Sequence, residues 1–179
     1  MTGEQWVEHP FPPVYDENSR VLILGSLPSV RSRQEGFFYG HPRNRFWQVL
    51  SQLLSEPLPT DIPQKQALLL RRNIALWDVI SRCEITGSSD ASIRSVTPAD
   101  LQSLVSRSQI DHVFLNGQAA ARVYQRYQAD ALALPYTVLP STSPANAAYP
   151  LGTLVDCWQP VADALSRPSA IAPIASAEK

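Results

Sequence analysis

Cysteine and lysine are scarce in this 179-residue chain. The two cysteines, Cys83 and Cys157, lie far apart and form no CxxC pair, so thiolates cannot build a zinc site or a four-cysteine iron–sulfur cluster. Two thiols in such a chain are typical of a reducing compartment. The three histidines, His9, His41 and His112, lack metal-ligand spacing. We therefore expect neither a metal nor another cofactor.

Long apolar runs and several catalytic motifs are also missing. No segment approaches membrane-spanning length, and residues 1–5 lack the basic and apolar regions of a signal peptide. The chain has no GxSxG nucleophile pattern, no GxxxxGK(S/T) phosphate loop and no GxGxxG fingerprint. We expect a cytoplasmic protein that is neither a serine hydrolase nor a P-loop or dinucleotide-binding enzyme.

The net charge of −1 gives no overall field that would attract nucleic acid, so any contact with DNA must be local. A local basic cluster does exist. It contains one acidic residue, Glu35, and the arginines at 20, 31, 33, 43 and 45. Taken alone, this cluster is better explained as an ordinary solvated basic face.

Four short apolar runs, each bounded by turn residues, predict buried strands. They are Val21–Gly25, Ile74–Val79, His112–Asn116 and Tyr136–Pro140. Helix-like sequence separates them: the apolar stripe of segment 43–54, a capping box at Thr97–Asp100 with proline at the first helical position, and the segments 118–127 and 151–165.

This alternation predicts a three-layer α/β/α fold with a central four-stranded, mainly parallel sheet. We expect one domain over residues 1–166 and a flexible tail over 167–179, which is rich in proline, alanine and serine. The first fifteen residues are rich in proline and aromatics, and we expect them to drape over the core without regular structure.

Ligands of open α/β sheets bind beyond the carboxyl ends of the strands. All four predicted strands end in small or polar residues, at Gly25–Ser29, Trp77–Asp78, Asn116–Gly117 and Pro140–Pro144. The sequence therefore predicts a site at this edge but does not identify its ligand.

Four segments resemble the uracil-DNA glycosylase superfamily. GSLPS (25–29) with GFFYGHPRNRFW (36–47) is similar to the first active-site motif of mismatch-type uracil-DNA glycosylases. IALWDV (74–79) followed by GSSD (87–90), FLNG (114–117) and LPSTSPA (139–145) resemble the hypoxanthine-DNA glycosylase branch. The resemblance covers roughly residues 10–165 and implies a monofunctional enzyme that extrudes a deaminated base from double-stranded DNA and hydrolyses its glycosidic bond, acting as a monomer.

One departure from the mismatch branch favours the hypoxanthine branch. Leu27 stands where mismatch enzymes carry a water-positioning asparagine, and the resemblance implies Asn44 as the catalytic residue instead. Asn44 also suits a helix cap. Asp78 could act as a general base, although a structural capping role is favoured slightly.

The resemblance also implies binding residues. Ser26, Leu27, Tyr39 and Asn116 would surround the base, with Tyr39 stacking on it and Asn116 reading its edge. Tyr39 could instead be a core aromatic, and Asn116–Gly117 a simple turn. DNA contacts would come from Arg43 and Arg45 and from the loop residues Ser141, Thr142, Ser143, Pro144 and Ala145.

Three functions remain open at this point. The first is excision of hypoxanthine. The second is excision of uracil or thymine opposite guanine, and the third is binding of damaged DNA or a nucleobase without turnover. Because Lys65 and Lys179 are the only lysines, a Schiff-base lyase step is not expected.

Overall fold

The computed structural model describes residues 3–87 and 89–169. Its main sheet contains four parallel strands in the order β3–β2–β6–β7. These strands are β2 (Val21–Gly25), β3 (Ile74–Asp78), β6 (His112–Asn116) and β7 (Tyr136–Leu139). The predicted strands are therefore confirmed, with Val79 and Pro140 lying just beyond the strand ends.

Helices cover both faces of this sheet. One face packs against α2 (Phe46–Leu54), α3 (Ile62–Arg71), α7 (Leu151–Cys157) and α8 (Gln159–Ser166), and the other against α4 (Leu101–Ser106), α5 (Gln118–Tyr127) and α6 (Ala129–Leu132). A further short helix, α1 (Val30–Glu35), follows β2. Every residue of β2 is buried, because a central parallel strand is covered on both sides. The three-layer α/β/α fold is confirmed.

A second sheet was not expected from the sequence. It is antiparallel, with the order β1–β4–β5, and contains β1 (Glu4–Glu8), β4 (Ile80–Thr86) and β5 (Arg94–Pro98). The prediction that the first fifteen residues lack regular structure is therefore wrong. Only Val7 is buried in β1, so its apolar alternation is too weak to mark a strand, and pairing with β4 fixes it.

Two helix predictions also need correction. Thr97 and Pro98 do not begin a helix; they end β5, an edge strand where proline is tolerated. Helix α4 begins at Leu101, and the Asp100 side chain accepts a hydrogen bond from the Ser103 amide. Segment 151–165 is two helices that meet at Trp158, and Pro160 lies in the first turn of the second.

Several sequence expectations concern residues that the structure describes only in part. Ser88 and residues 170–179 of the expected tail lie outside the described residues. Among the residues that are described, none of the helices has the length and apolar character needed to cross a membrane.

Candidate active site

The carboxyl ends of the parallel strands place the predicted site residues at one edge of the main sheet. β3 ends at Asp78, β2 at Gly25 and β6 at Asn116, and the segment after β7 brings Thr142 beside them. The side chains of Asp78, Asn116 and Thr142 are buried. Polar groups buried in this way need hydrogen-bond partners, and the partners fix the geometry of the site.

Asp78 is bound by a residue that the sequence did not point to. The Oδ2 atom of Asp78 lies 2.7 Å from Nε2 of His9, and Nδ1 of His9 lies 2.8 Å from the carbonyl oxygen of Phe11. No motif marked His9, because it follows an edge strand and pairs with a residue 69 positions away. Its proline- and aromatic-rich surroundings were the only available sign that the segment packs against the core.

Gly25 allows two functional groups to meet above the end of β2. A Cβ atom at this position would lie 2.5 Å from Oδ1 of Asp78 and 2.9 Å from the hydroxyl oxygen of Tyr39. Since both approaches are closer than real Cβ contacts, a larger residue would push these groups apart. The close approach of the backbone thus brings Asp78 and Tyr39 together.

Tyr39 is held by a ring contact and a hydrogen bond. Its ring stacks on Phe46 with the centroids 4.0 Å apart, and its hydroxyl accepts a hydrogen bond of 3.1 Å from Nδ2 of Asn116. Burial, with a smaller effect of the nearby Asp78 carboxylate, raises the pKa of Tyr39 far above its usual range. The hydroxyl therefore keeps its proton and can donate it, while Phe46 leaves only one ring face for stacking.

Asn116 and Thr142 bind each other reciprocally. The Thr142 amide donates to Oδ1 of Asn116 at 3.0 Å, and Nδ2 of Asn116 donates to Oγ1 of Thr142 at 3.0 Å. Because a backbone N–H can only donate, the first bond fixes the orientation of the Asn116 amide. Both amide hydrogens of Asn116 are then engaged, by Tyr39 and Thr142, and one lone pair on Oδ1 stays available.

Asn44 is oriented in the same way. Its Oδ1 accepts from the Phe46 amide at 3.0 Å and from the Thr142 hydroxyl at 2.9 Å. The side chain thus satisfies a free amide at the start of α2, as a capping residue does, although the cap position itself is Arg45. Nδ2 of Asn44 has no hydrogen-bond partner among the described residues, so the amide presents a donor and no free acceptor.

Arg45 is tied to the loop that follows β7. Its guanidinium donates to the carbonyl oxygens of Ser143, Asn146 and Tyr149, and its backbone amide donates to the carbonyl of Thr142. Arg45 forms no ion pair within the described part of the chain. The Arg45 guanidinium therefore binds the loop after β7, whereas the Arg43 side chain is exposed.

The remaining predicted residues lie around this network. Ser143 and Ala145 donate backbone amides to the hydroxyls of Ser141 and Ser143, so the serines fold the loop on itself. Ala145 is exposed and Pro144 is half-buried. Ser26 and Leu27, just after β2, are half-buried, and Leu27 packs against the core on the side of the sheet that carries α4, α5 and α6.

No group of three or more histidine, cysteine, aspartate or glutamate side chains is placed to hold a metal ion within residues 3–87 and 89–169. The site is instead a line of hydrogen-bonding side chains over a parallel sheet. It offers a free amide donor at Asn44, a hydroxyl donor at Tyr39 and an acceptor at Asn116.

Comparison with known proteins gives the family to which this fold belongs. The family model described as the uracil DNA glycosylase superfamily matches residues 12–162. The chain therefore belongs to that superfamily, and the resemblance noted in the sequence is confirmed.

Individual relatives are described as hypoxanthine DNA glycosylases. A protein of that name from Methanosarcina acetivorans is 34% identical over 146 residues, which cover 78% of this chain and 89% of the relative. Another from Methanosarcina barkeri is 44% identical over 85 residues, which cover 47% of this chain and about half, 54%, of the relative.

A solved structure shares the fold. The solution NMR structure of a uracil DNA glycosylase candidate from Methanosarcina acetivorans superposes with a TM-score of 0.77 at 30% sequence identity. The superposition covers 91% of this chain and 100% of that one. The shared fold is the α/β architecture described above.

Proposed function

We propose that this chain is a monofunctional DNA glycosylase that removes hypoxanthine from deoxyinosine in double-stranded DNA. The observation that carries the proposal is the line of oriented groups at the strand ends, where Asn44 presents only a donor. Family membership and the names of the two relatives support the reaction class and the base.

Cleavage of an N-glycosidic bond leaves negative charge on the departing base and positive charge on the sugar. A fixed amide donor stabilises the charge that develops on the base. Nδ2 of Asn44 fits this role, because both lone pairs of its Oδ1 are already filled by Phe46 and Thr142. Asn44 therefore acts on the base or on a water through donation and does not remove a proton.

The base edge matches Asn116 and Tyr39 together. Hypoxanthine presents N1–H as a donor and O6 as an acceptor. The free lone pair on Oδ1 of Asn116 can accept from N1–H, and the Tyr39 hydroxyl can donate to O6. Adenine presents the reverse pattern, so the pair would discriminate against it.

This assignment changes the role expected for Asn116. A single amide reading both edge atoms would have to release the hydrogen bond that Nδ2 donates to Tyr39 or to Thr142. Sharing the two contacts between Asn116 and Tyr39 needs no such loss. Tyr39 would then bind the base edge through its hydroxyl, in place of the stacking role expected from the sequence, because a ring that stacks on a base cannot also donate in the plane of that base.

Uracil is the second candidate substrate, because its O4 and N3–H present the same pattern as O6 and N1–H of hypoxanthine. The polar groups cannot separate these bases, so pocket size must do so. Thymine has the same O4 and N3–H edge as uracil, so the same argument applies to thymine opposite guanine.

The position of the described lysine supports hydrolysis by water without a lyase step. Lys65 lies on α3 over the ring of Trp47, with 5.3 Å from Nζ to the ring centroid, and not at the strand ends. Lys179 is the other lysine and lies outside the described residues. Among the described residues, the proposed site therefore has no lysine amine that could form a Schiff base.

DNA would approach the edge that carries the loop after β7. The exposed Ala145 of this loop can press into the space left by the extruded nucleotide, and Arg43 can contact a phosphate. The proposed site needs no group from a second subunit, so we propose that the protein acts as a monomer. Cys83 and Cys157 are not joined in a disulfide, which fits a cytoplasmic protein.

The test uses end-labelled duplexes that carry one hypoxanthine, uracil or thymine, followed by alkali to cleave abasic sites. We expect alkali-dependent cleavage of the hypoxanthine duplex, with less from the other two. Cleavage without alkali would indicate a lyase. Preferred cleavage of the uracil duplex would support the second substrate, and tight binding without abasic product would support a non-catalytic DNA-binding protein. Asn44→Ala is the matched control.

A further inference from the structure

We propose that Thr142 is a positioning residue: its hydroxyl sets the orientation of the Asn44 amide and couples that amide to the loop that follows β7. This inference rests on the proposed function, in which Asn44 is the catalytic residue. The sequence placed Thr142 among the residues that contact DNA. Its burial is complete, at 0% exposure, so a phosphate cannot reach its hydroxyl.

The direction of the hydrogen bonds is fixed from both ends. At one end, the Thr142 amide orients Asn116, so that Nδ2 of Asn116 must donate to Oγ1 of Thr142. At the other end, the Phe46 amide orients Asn44, so that Oδ1 of Asn44 must accept. The Thr142 hydroxyl therefore accepts from Asn116 and donates its single proton to Asn44, 2.9 Å away.

The hydrogen bond from Thr142 restrains the χ2 rotation of Asn44, which sets the direction of the Nδ2 donor. The χ2 torsion of asparagine is broad, so one bond from the Phe46 amide leaves the Asn44 amide free to tilt. A second bond from Thr142 fixes the plane of the amide and thereby the direction of Nδ2. Catalytic donors act through such fixed placement, because the enzyme need not reorganise during the reaction.

Thr142 joins the loop after β7 to Asn44 and Arg45 through two hydrogen bonds. The hydroxyl of Thr142 binds the Asn44 side chain, and its carbonyl accepts from the Arg45 amide at 3.1 Å. A shift of the loop against DNA would move Thr142 and, with it, the partner of Asn44. Seating of the loop and placement of the catalytic donor are thus parts of one movement.

The experiment compares Thr142→Val, which keeps the shape and removes the hydroxyl, with Thr142→Ser, which keeps the hydroxyl. We expect Thr142→Val to lower the single-turnover excision rate about tenfold, the effect of one lost hydrogen bond. Duplex affinity should stay within about twofold, and Thr142→Ser should restore most of the rate. Thr137→Val is the matched control, because its hydroxyl binds His112 in β6.

Coupling to Asn44 is tested in the double variant. If Thr142 acts through Asn44, Thr142→Val should cause little further loss when Asn44 is already alanine. An equal loss in both backgrounds, or full activity of Thr142→Val, would overturn the proposal. Should Thr142→Val not fold, Thr142→Ala provides a smaller variant without the hydroxyl for the same comparison.

A spectroscopic measurement separates this inference from the proposed function. In ¹⁵N-labelled protein, the side-chain amide signals of Asn44 should shift in Thr142→Val and stay near their original positions in Thr142→Ser. If the parent protein excises no base but these shifts occur, the positioning contact stands and the proposed function fails. Unchanged Asn44 signals in Thr142→Val would show that Thr142 does not orient the Asn44 amide.

Discussion

The Nε2 atom of His9 lies 2.7 Å from the Oδ2 atom of Asp78, and the two side chains are 4% and 5% exposed. Nδ1 of His9 faces the carbonyl of Phe11 and must carry a hydrogen, because a carbonyl only accepts. The short contact with Asp78 therefore needs a second proton, held between the two residues. The pair has no net charge wherever that proton lies, which allows Asp78 to be buried.

The first prediction concerns Asp78, which we expect to be mainly structural. In Asp78→Asn the amide can donate to neutral His9, so unfolding in urea should change by no more than about 1 kcal/mol. Single-turnover excision should stay within about tenfold of the parent. Asp78→Ala leaves His9 buried without its partner and should cost about 3–5 kcal/mol.

The opposite outcome would be equally informative. If Asp78→Asn unfolds like the parent but loses more than about a hundredfold in excision rate, the carboxylate takes part in the reaction. Oδ1 of Asp78 and the Tyr39 hydroxyl both lie beside Gly25, at the edge where we propose that the base binds. Asp78 would then be the general base that activates the water.

The second prediction separates the donor of Asn44 from its capping contacts. Asn44→Asp keeps oxygen atoms for the Phe46 amide and the Thr142 hydroxyl but removes the Nδ2 donor. We expect the excision rate to fall about 100-fold to 1000-fold, as it does when one oxyanion donor is removed, with little change in thermal stability. Asn44→Ala should lose similar activity and also some stability, because the Phe46 amide loses its partner.

A near-normal rate in Asn44→Asp would mean that Asn44 is only a capping residue. Excision by Asn44→Ala at the parent rate would lead to the same conclusion. Equilibrium binding to a hypoxanthine duplex should be measured for both variants. A loss of binding without a loss of rate would mean that Asn44 contributes to substrate binding and not specifically to the transition state.

The third prediction concerns metals. The reaction proposed here uses side-chain donors and water, so excision should survive prolonged treatment with a chelator followed by gel filtration. Activity that is lost on this treatment and restored by added zinc or magnesium would contradict the proposed chemistry. The parent protein in untreated buffer is the control.

The main sheet could be predicted from the sequence because parallel strands are buried on both faces and appear as continuous apolar runs. Val21–Gly25 is the plainest example, with all five residues buried. The small antiparallel sheet could not, since its edge strand β1 buries only Val7. The helix start predicted at Thr97–Asp100 was wrong for a related reason. The spacing fits a capping box, but pairing with β4 places Thr97 and Pro98 in a strand.

The location of the site could also be predicted, from the polar residues at four strand ends, but the bonding within it could not. Hydrogen bonds from Thr142 to Asn44 and Asn116 join residues 98 and 26 positions apart. Such contacts depend on the packed chain and leave no local pattern. His9 was missed for the same reason, since its partner Asp78 is 69 positions away.

The last prediction separates two neighbouring arginines that the sequence treated alike. Arg43 is exposed and free to meet a phosphate, whereas the guanidinium of Arg45 donates to three carbonyls of the loop. Each phosphate contact contributes about −0.9 to the slope of log affinity against log salt. Arg43→Ala should therefore flatten that slope by up to roughly one unit, for damaged and undamaged duplex alike.

Arg45→Lys should act differently. Lysine keeps the charge, but its single ammonium cannot replace a planar guanidinium that reaches Ser143, Asn146 and Tyr149 at once. The loop should loosen, so affinity for duplex and the excision rate should both fall while the salt slope stays at the parent value. Fluorescence anisotropy at a series of salt concentrations measures the affinity and the salt slope.

If Arg45→Ala flattens the slope as much as Arg43→Ala does, Arg45 contacts a phosphate and its proposed role in holding the loop is wrong. If neither variant changes the slope, the DNA runs along another face, and the approach over the 141–149 loop is wrong as well.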